Sequence, residues 1–522
     1  MNEKHSVHGS ASRSRKPLST GVELMLERVQ RAHFQYFLDN QDRSTGLILD
    51  RTRPGSPATV AGVGFALTAY AVASTRFWLS RREAVSYTLK VLEVLKRVPQ
   101  GDSPSGVNGF HGFYYHFLDP ATGERATSPK FWNSELSTID TALLMIGVRF
   151  AATFYDGDSA EEKRIREIAS FLYERVEWTW MLRDLSEMPN QNRGGTLKGR
   201  VLGHGWTPEH GLIQSVYLGY SEALLLYLLA LGSAKYAVPA ETWQKYLGFE
   251  KAQTLYGETF IAMPGTPLFC YQYPHCWFDF RGIRDDLGRR LGFDYFENSV
   301  RATRAQYRYA VVNPHGFVNY GTRNWGLTAS DGPGGGKKKV GDREIDFSWY
   351  SERGAPLGLD DGTIAPTAAL SALPFAPHIV LPTMRYWLKK RPELFSMQGF
   401  FDAFNDTYPD EAGKSVGWVD VETLAIDQGP VVLMLENYRT GLIWKVMKRD
   451  PAMRKALKSA SFRGGWLGGW KAGGKKAVCE KASGKHAAGK NGGGNKRGRK
   501  QICANSSVVR GARRRQKLRT GK

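Results

Sequence analysis

Two stretches of this chain, residues 58–74 and 212–231, read as helices that are apolar on nearly every face. A helix with no wet face has to lie inside a layer of other helices. Other stretches are apolar on one side only. Residues 22–38 place Leu24, Leu26, Val29, Phe34 and Phe37 at helical spacing, and residues 81–98 do the same with Ala84, Tyr87, Val91, Leu92 and Leu95. Residues 135–152, 160–180, 241–246, 297–311, 365–373, 378–389 and 427–447 bring the total to about a dozen predicted helices. Alternating strands are scarce, with short hairpins predicted near residues 110–118 and 317–327. Enclosed and one-sided helices together predict an all-α fold of two concentric rings, an (α/α)6 barrel, since no fixed repeat period supports a solenoid.

The connections carry the second clue. Residues 101–133, 182–211, 263–294 and 313–361 are long, aromatic and glycine-rich, and are expected to form a cleft at one rim of the barrel. Runs such as Tyr271-Gln272-Tyr273-Pro274-His275 set aromatic faces beside planar hydrogen-bonding groups. Such surfaces suit sugars, which offer C–H faces and many hydroxyls.

Composition narrows the classes. Of 522 residues 42% are hydrophobic, which rules out global disorder, and four cysteines rule out a disulfide scaffold. The longest apolar run, residues 223–231, is half of the roughly 18 residues that span a bilayer, so no membrane partner is expected. The net charge of +22 is not evenly spread: residues 461–522 hold 18 Lys and Arg against the single acid Glu480, together with 14 of the 57 glycines. The chain therefore divides into a polar N-terminus (1–20), a barrel domain (21–458) and a basic tail (459–522), both ends being expected to be disordered. Clusters such as Arg513-Arg514-Arg515 are the chain's one feature suited to nucleic acid, but they lack accompanying aromatics, so a solvated extension is the favoured reading. The first 17 residues lack a secretory apolar stretch, so the chain as written is expected in the cytoplasm, and in the periplasm or exported if translation starts elsewhere. With neither CxxC nor HExxH, no metal and no cofactor are expected.

Cleaving a glycosidic bond takes two carboxyl groups, one protonated and one ionised. Glu222 lies beside Leu218, Leu225 and Leu229, where lost solvation would raise its pKa as a proton donor requires. A simple cap on a helix starting at Ser221 explains it equally well. Glu135 follows Ser134, a plausible N-cap, so a helix dipole would keep it ionised; a routine first-turn acid is the alternative. Asp140 and Asp427 compete with it, and spacing does not rank them.

Longer strings resemble the bacterial glycoamylase-like (glucoamylase-family) domain. They are Trp132-Asn133-Ser134-Glu135-Leu136-Ser137-Thr138-Ile139-Asp140-Thr141, Tyr220-Ser221-Glu222, His275-Cys276-Trp277-Phe278-Asp279-Phe280-Arg281-Gly282 and Asp294-Tyr295-Phe296-Glu297-Asn298-Ser299. Trp325-Gly326-Leu327-Thr328-Ala329-Ser330-Asp331-Gly332-Pro333, Asp361-Gly362-Thr363-Ile364-Ala365-Pro366, Ile426-Asp427-Gln428-Gly429-Pro430 and Glu436-Asn437-Tyr438-Arg439 follow in the family's order. The resemblance implies an (α/α)6 barrel acting on β-1,2-glucan with anomeric inversion, as in endo-β-1,2-glucanases and the transglycosylase domain of cyclic β-1,2-glucan synthases. Residue by residue it implies Glu222 as general acid and Glu135 as base, with Asp140 and Asp427 as further candidates. Trp132, His275, Arg281, Trp325 and Asp331 are the expected substrate-binding residues. The expected function is an inverting β-glucan hydrolase, with transglycosylation or a non-catalytic glycan-binding barrel as alternatives. The basic tail lies outside the family pattern.

Overall fold

The computed structural model describes residues 18–188 and 197–468. The N-terminus to Pro17 and the tail from Gly469, with Cys479, Cys503 and the arginine cluster, lie outside the described residues.

The described residues form α1 (Thr20–Asp39), α2 (Val60–Thr75), α3 (Arg81–Arg97), α4 (Thr138–Phe154), α5 (Ala160–Glu174), α6 (Leu224–Gly232), α7 (Glu241–Leu247) and α8 (Phe269–Trp277). Then come α9 (Asp286–Leu291), α10 (Tyr295–Val312), α11 (Pro366–Leu370), α12 (Pro377–Lys390), α13 (Ala425–Arg439), α14 (Leu442–Met447) and α15 (Pro451–Ser459). The enclosed class is real: α2 is buried from Val60 to Ala73, and every residue of α6 and α11 is buried. α1, α3, α5, α10 and α12 each bury one face.

Small residues let the enclosed helices touch along their backbones. A Cβ on Gly64 of α2 would stand 2.0 Å from the Leu143 carbonyl oxygen, and one on Gly147 of α4 would stand 2.2 Å from that of Gly64. Gly429 of α13 likewise faces the Phe65 ring, where a Cβ would come within 2.3 Å. Alanine at any of these positions would push two packed helices apart, and such overpacking costs about 1–3 kcal/mol. α2 packs against α4 and α13, α4 also against α6, and α13 also against α8 and α11.

A five-stranded antiparallel sheet accompanies the helices, in the order Gly109–Phe110, Phe113–Tyr115, Leu136–Ser137, Gly205–Thr207 and Gly211–Leu212. Its third strand runs straight into α4, whose N-cap Ser137 accepts a hydrogen bond from the Asp140 backbone N–H at 3.2 Å. This corrects the predicted helix over 135–152, because Leu136 and Ser137 pair with Tyr115 and Tyr114 and the helix starts only at Thr138. The predicted 212–231 helix shrinks to α6, its first part being strand and loop. The hairpin expected at 317–327 is absent among the described residues; the nearby pairing is Ala329–Ser330 with Ser351–Glu352. α8, read as part of the aromatic connection 263–294, is a helix.

Candidate active site

A cavity of about 350 Å³ opens where α4, α6, α8 and α13 begin. Its wall includes Asp50, Arg51, His116, Trp132, Asp140, Glu222, Phe269, Tyr273, Tyr350 and Ile426.

Glu222 sits in the turn that enters α6, two residues before Leu224, and is neither mid-helix nor a first-turn acid. The turn is fixed by the Tyr246 hydroxyl, which accepts from the Ser221 backbone N–H at 3.1 Å, and Tyr246 in turn stacks on Tyr227. Burial pushes the Glu222 carboxyl above its ordinary range, the nearby Glu352 and Asp140 carboxylates push the same way, and the Cys270 thiol, donating to Oε2 at 3.0 Å, opposes them. Its protonated form is therefore the favoured one further up the pH scale than for an ordinary carboxyl.

The opposite electrostatic case is built on the small sheet. The Glu135 carbonyl accepts from the His116 backbone N–H at 2.9 Å, so the ladder sets the two side chains next to each other. His116 Nδ1 lies 2.9 Å from Glu135 Oε1, and its Nε2 lies 3.6 Å from Asp140 Oδ1. Burial alone would lower the imidazole pKa, but Asp140, Glu135 and Asp50 raise it to about 9, so His116 is a cation on the cavity wall at neutral pH. Glu135 is raised by burial and lowered more strongly by His116, leaving it below its usual value and ionised. The helix-dipole account of Glu135 is thus replaced by an ion pair. Asp140 is the residue that starts inside a helix N-terminus and lines the cavity.

A third group gathers around α13. Asp427, in its first turn, is raised to about 7 chiefly by burial, with the Asp402 carboxyl as its neighbour. Burial and the neighbouring Asp427 push Asp402 well above its ordinary value, so the two titrate as a pair. Asp331 accepts from Arg51 at 2.8 Å, and its backbone N–H donates to Asp402 Oδ2 at 2.6 Å. Arg353, fully buried, grips Asp361 at 2.8 Å and the Ser330 carbonyl at 2.7 Å, which locks the segment bearing Asp331.

The sequence-predicted residues therefore separate. Glu222, Asp140 and Trp132 line the cavity; Glu135, Asp331 and Asp427 stand behind it, each bonded to, or flanked by, a residue that does. Trp132 stays 56% exposed and meets Phe117 edge-on, leaving an open indole face. His275, Arg281 and Trp325 lie elsewhere. His275 is wholly buried among Phe280, Phe296 and Phe375, shares a hydrogen bond with Ser299 and is pushed down to about 3 by burial. Trp325 is wholly buried and donates to Thr383. Arg281, beyond the far end of α8, pairs with Asp279 and stacks 4.2 Å over Trp444. Sequence reasoning missed His116, Arg51, Tyr350, Asp402 and Cys270. His116, six residues beyond the start of a predicted hairpin, was the one with a usable signal.

Among the described residues two donor sets lie close enough to hold a metal ion: His116 with Glu135 and Asp140, and Asp331 with Asp402 and Asp420. The first is already satisfied internally by the imidazolium.

A half-buried carboxyl whose pKa burial raises, an ion-paired carboxylate and an exposed aromatic face around one cavity define an acid–base site on a helical scaffold. Residues 215–451 match the glycoamylase family model, described as "Putative glucoamylase", so the resemblance read from the sequence holds. Over 465 residues the chain is 28% identical to an exo β-1,2-glucooligosaccharide sophorohydrolase (non-reducing end) of Parabacteroides distasonis, covering 83% of this chain and 57% of that protein's length. A crystal structure of a "putative glucoamylase" from Bacteroides uniformis matches 87% of this chain and all of its own, at 29% identity and a TM-score of 0.71. The endo-β-1,2-glucanase of Chitinophaga pinensis, solved with sophorotriose and glucose, matches 85% of this chain and 99% of its own, at 25% identity and a TM-score of 0.67.

Proposed function

We propose that this protein is a glycoside hydrolase that cleaves β-1,2-glucan with inversion, and that Glu222 is the general acid. One observation carries the reading: Glu222 lines a cavity whose wall also includes Ile426, the residue next to Asp427, so the two acids belong to one site. Burial raises the Glu222 pKa and no cation among the described residues pairs with it, so Glu222 is the group that delivers a proton to the glycosidic oxygen. Asp427, titrating as a pair with Asp402 at a pKa near neutrality, accepts the proton of the attacking water. A carboxylate held low by an ion pair is a weaker base, so Glu135 is assigned instead to charging His116. The relatives' activities on β-1,2-linked substrates support the choice of linkage.

The scaffold of this reading is a closed double ring. Packing of α2 on α4, α4 on α6, α6 on α8, α8 and α11 on α13, and α13 back on α2 supports it. Gln272 of α8 bridges to the Ala368 carbonyl of α11 at 2.7 Å, where direct packing is thinnest.

The test is incubation with linear β-1,2-glucan, with product sizing and detection of the product anomer. Short linear products of inverted configuration, abolished in Asp427→Asn, are expected. Retained configuration would remove Asp427 as base, cyclic or lengthened products would replace hydrolysis by transfer, and no turnover on any glucan would overturn the reading.

A further inference from the structure

We propose that Cys270 is a positioning residue, whose thiol fixes which oxygen of Glu222 carries the proton presented to the cavity. The inference rests on Glu222 being the proton donor. Cys270 is the second residue of α8 and is wholly buried, with Sγ 3.0 Å from Glu222 Oε2. Its neighbour Phe269 lines the cavity, so the thiol approaches the carboxyl from behind that wall. A carboxylic acid has one proton and two oxygens. An oxygen that already accepts an S–H is the less favourable place for that proton, so the proton resides on Oε1.

Apart from the thiol and the Glu222 backbone N–H, which also lowers the carboxyl's pKa, the groups that reach Glu222 do not orient it in this way. Asp140 from α4 and Glu352 from the 351–352 strand act as negative charges, and Tyr217, Tyr246 from α7 and Tyr273 from α8 add phenols. The Tyr246 and Tyr273 hydroxyls are engaged elsewhere, with Ser221 and with the Ile426 carbonyl. Burial and the adjacent Glu222 push the Cys270 thiol far above its ordinary value, so sulfur keeps its proton and acts as a donor. A thiol is a weak donor. It orients the carboxyl while pulling its pKa down less than a serine hydroxyl or a cation at the same place would.

The proton balance is simple. The Oε1–H bond breaks as the proton moves to the glycosidic oxygen, and the carboxylate left behind keeps the S–H bond at Oε2. Reprotonation of Oε1 from solvent, which receives the proton taken from the attacking water, resets the site. The thiol gains and loses nothing.

Cys270→Ser and Cys270→Ala test this by the pH profile of kcat/KM on β-1,2-glucan, whose basic limb reports the acid. The stronger hydroxyl donor should move that limb to lower pH, and loss of the donor should move it to higher pH. Cys270→Ala should also lose about 2- to 10-fold in kcat, the range of one uncharged hydrogen bond, with KM unchanged. Shifts in opposite directions do not follow from a merely structural role. Basic limbs that superimpose on that of the wild type in folded variants would overturn the inference. Should Cys270→Ala lose its cooperative melt, Cys270→Ser carries the test alone through the direction of its shift. Glu222→Gln separates the two levels: wild-type turnover in that variant sinks the assignment of Glu222 itself, whereas its inactivation with unmoved Cys270 limbs sinks only this inference.

Discussion

Glu222 and Glu135 are the same residue type around one cavity, and the protein treats their protons in opposite ways. Glu222 enters from a turn enclosed by aliphatic and aromatic side chains, and its charged neighbours are carboxylates. Glu135 stands just before the middle strand of the sheet, and its backbone pairing hands it an imidazole. Both lose hydration. The cation decides the outcome, because a Coulombic and hydrogen-bonded partner at 2.9 Å outweighs desolvation for Glu135, whereas one weak sulfur donor does not for Glu222. Acid and anion are thus distinguished by secondary structure: a helix-entry turn excludes partners, and a cross-strand pair enforces one.

The most severe way to break this comparison is to remove the proton. Glu222→Gln keeps shape and hydrogen bonding but cannot protonate the leaving oxygen, so kcat on β-1,2-glucan should fall about 10²- to 10⁴-fold with little change in melting temperature. Turnover near wild type would mean that the raised carboxyl is structural. Asp427→Asn should cost on the order of 10²-fold or more, since it removes one member of the titrating pair. Because Asp402 then loses the Asp427 carboxyl while keeping Asp331 and Asp420 beside it, its own titration should change as well, and the acidic limb of kcat/KM should move; an unmoved limb assigns that limb to another group.

Only part of the contrast was legible in the sequence. The enclosed helix at 58–74 was readable because fourteen successive buried residues leave a continuous apolar record. The same logic failed at 212–231, where the apolar run belongs to α6 alone and Glu222 lies before it. Residue type identified Glu222, Glu135, Asp140 and Asp427 as chemistry-bearing, but their pKa order depends on His116 and Asp402, which are 19 and 25 positions from their partners. Such pairings come from strand register and helix docking, and local pattern does not record them. His275 and Trp325 misled for a related reason: family strings contain packing residues as well as substrate contacts, and these two are wholly buried.

A milder perturbation tests the charged wall. His116→Gln removes the imidazolium between Glu135 and Asp140, leaving two neighbouring carboxylates without a cation. In the wild type the His116 pKa is raised in the fold to about 9 from an ordinary 6.5. A raised pKa contributes stability that is fully present below pH 6.5 and lost as pH rises through about 9. Denaturant melts at pH 6 and pH 9.5 should therefore show a fall for the wild type and a smaller one for the variant. Equal falls would mean that His116 is neutral in the folded protein, and the account of Glu135 would fail with it.

The smallest effect concerns the exposed aromatic on the same wall. Trp132 touches Phe117 edge-on, and Phe117 stacks on the His116 ring at 3.8 Å, so the indole is two contacts away from the charge pair. If its open face serves as a sugar platform, Trp132→Ala removes binding that is equal in ground and transition states. KM should then rise about 5- to 10-fold with kcat unchanged, in line with roughly 1 kcal/mol for an aromatic contact. Both limbs of the pH profile should stay in place, because the ion pair does not need the indole. A displaced limb would show that Trp132 acts through Phe117 on the orientation of His116, and the two walls would then be distinguished by packing as much as by charge.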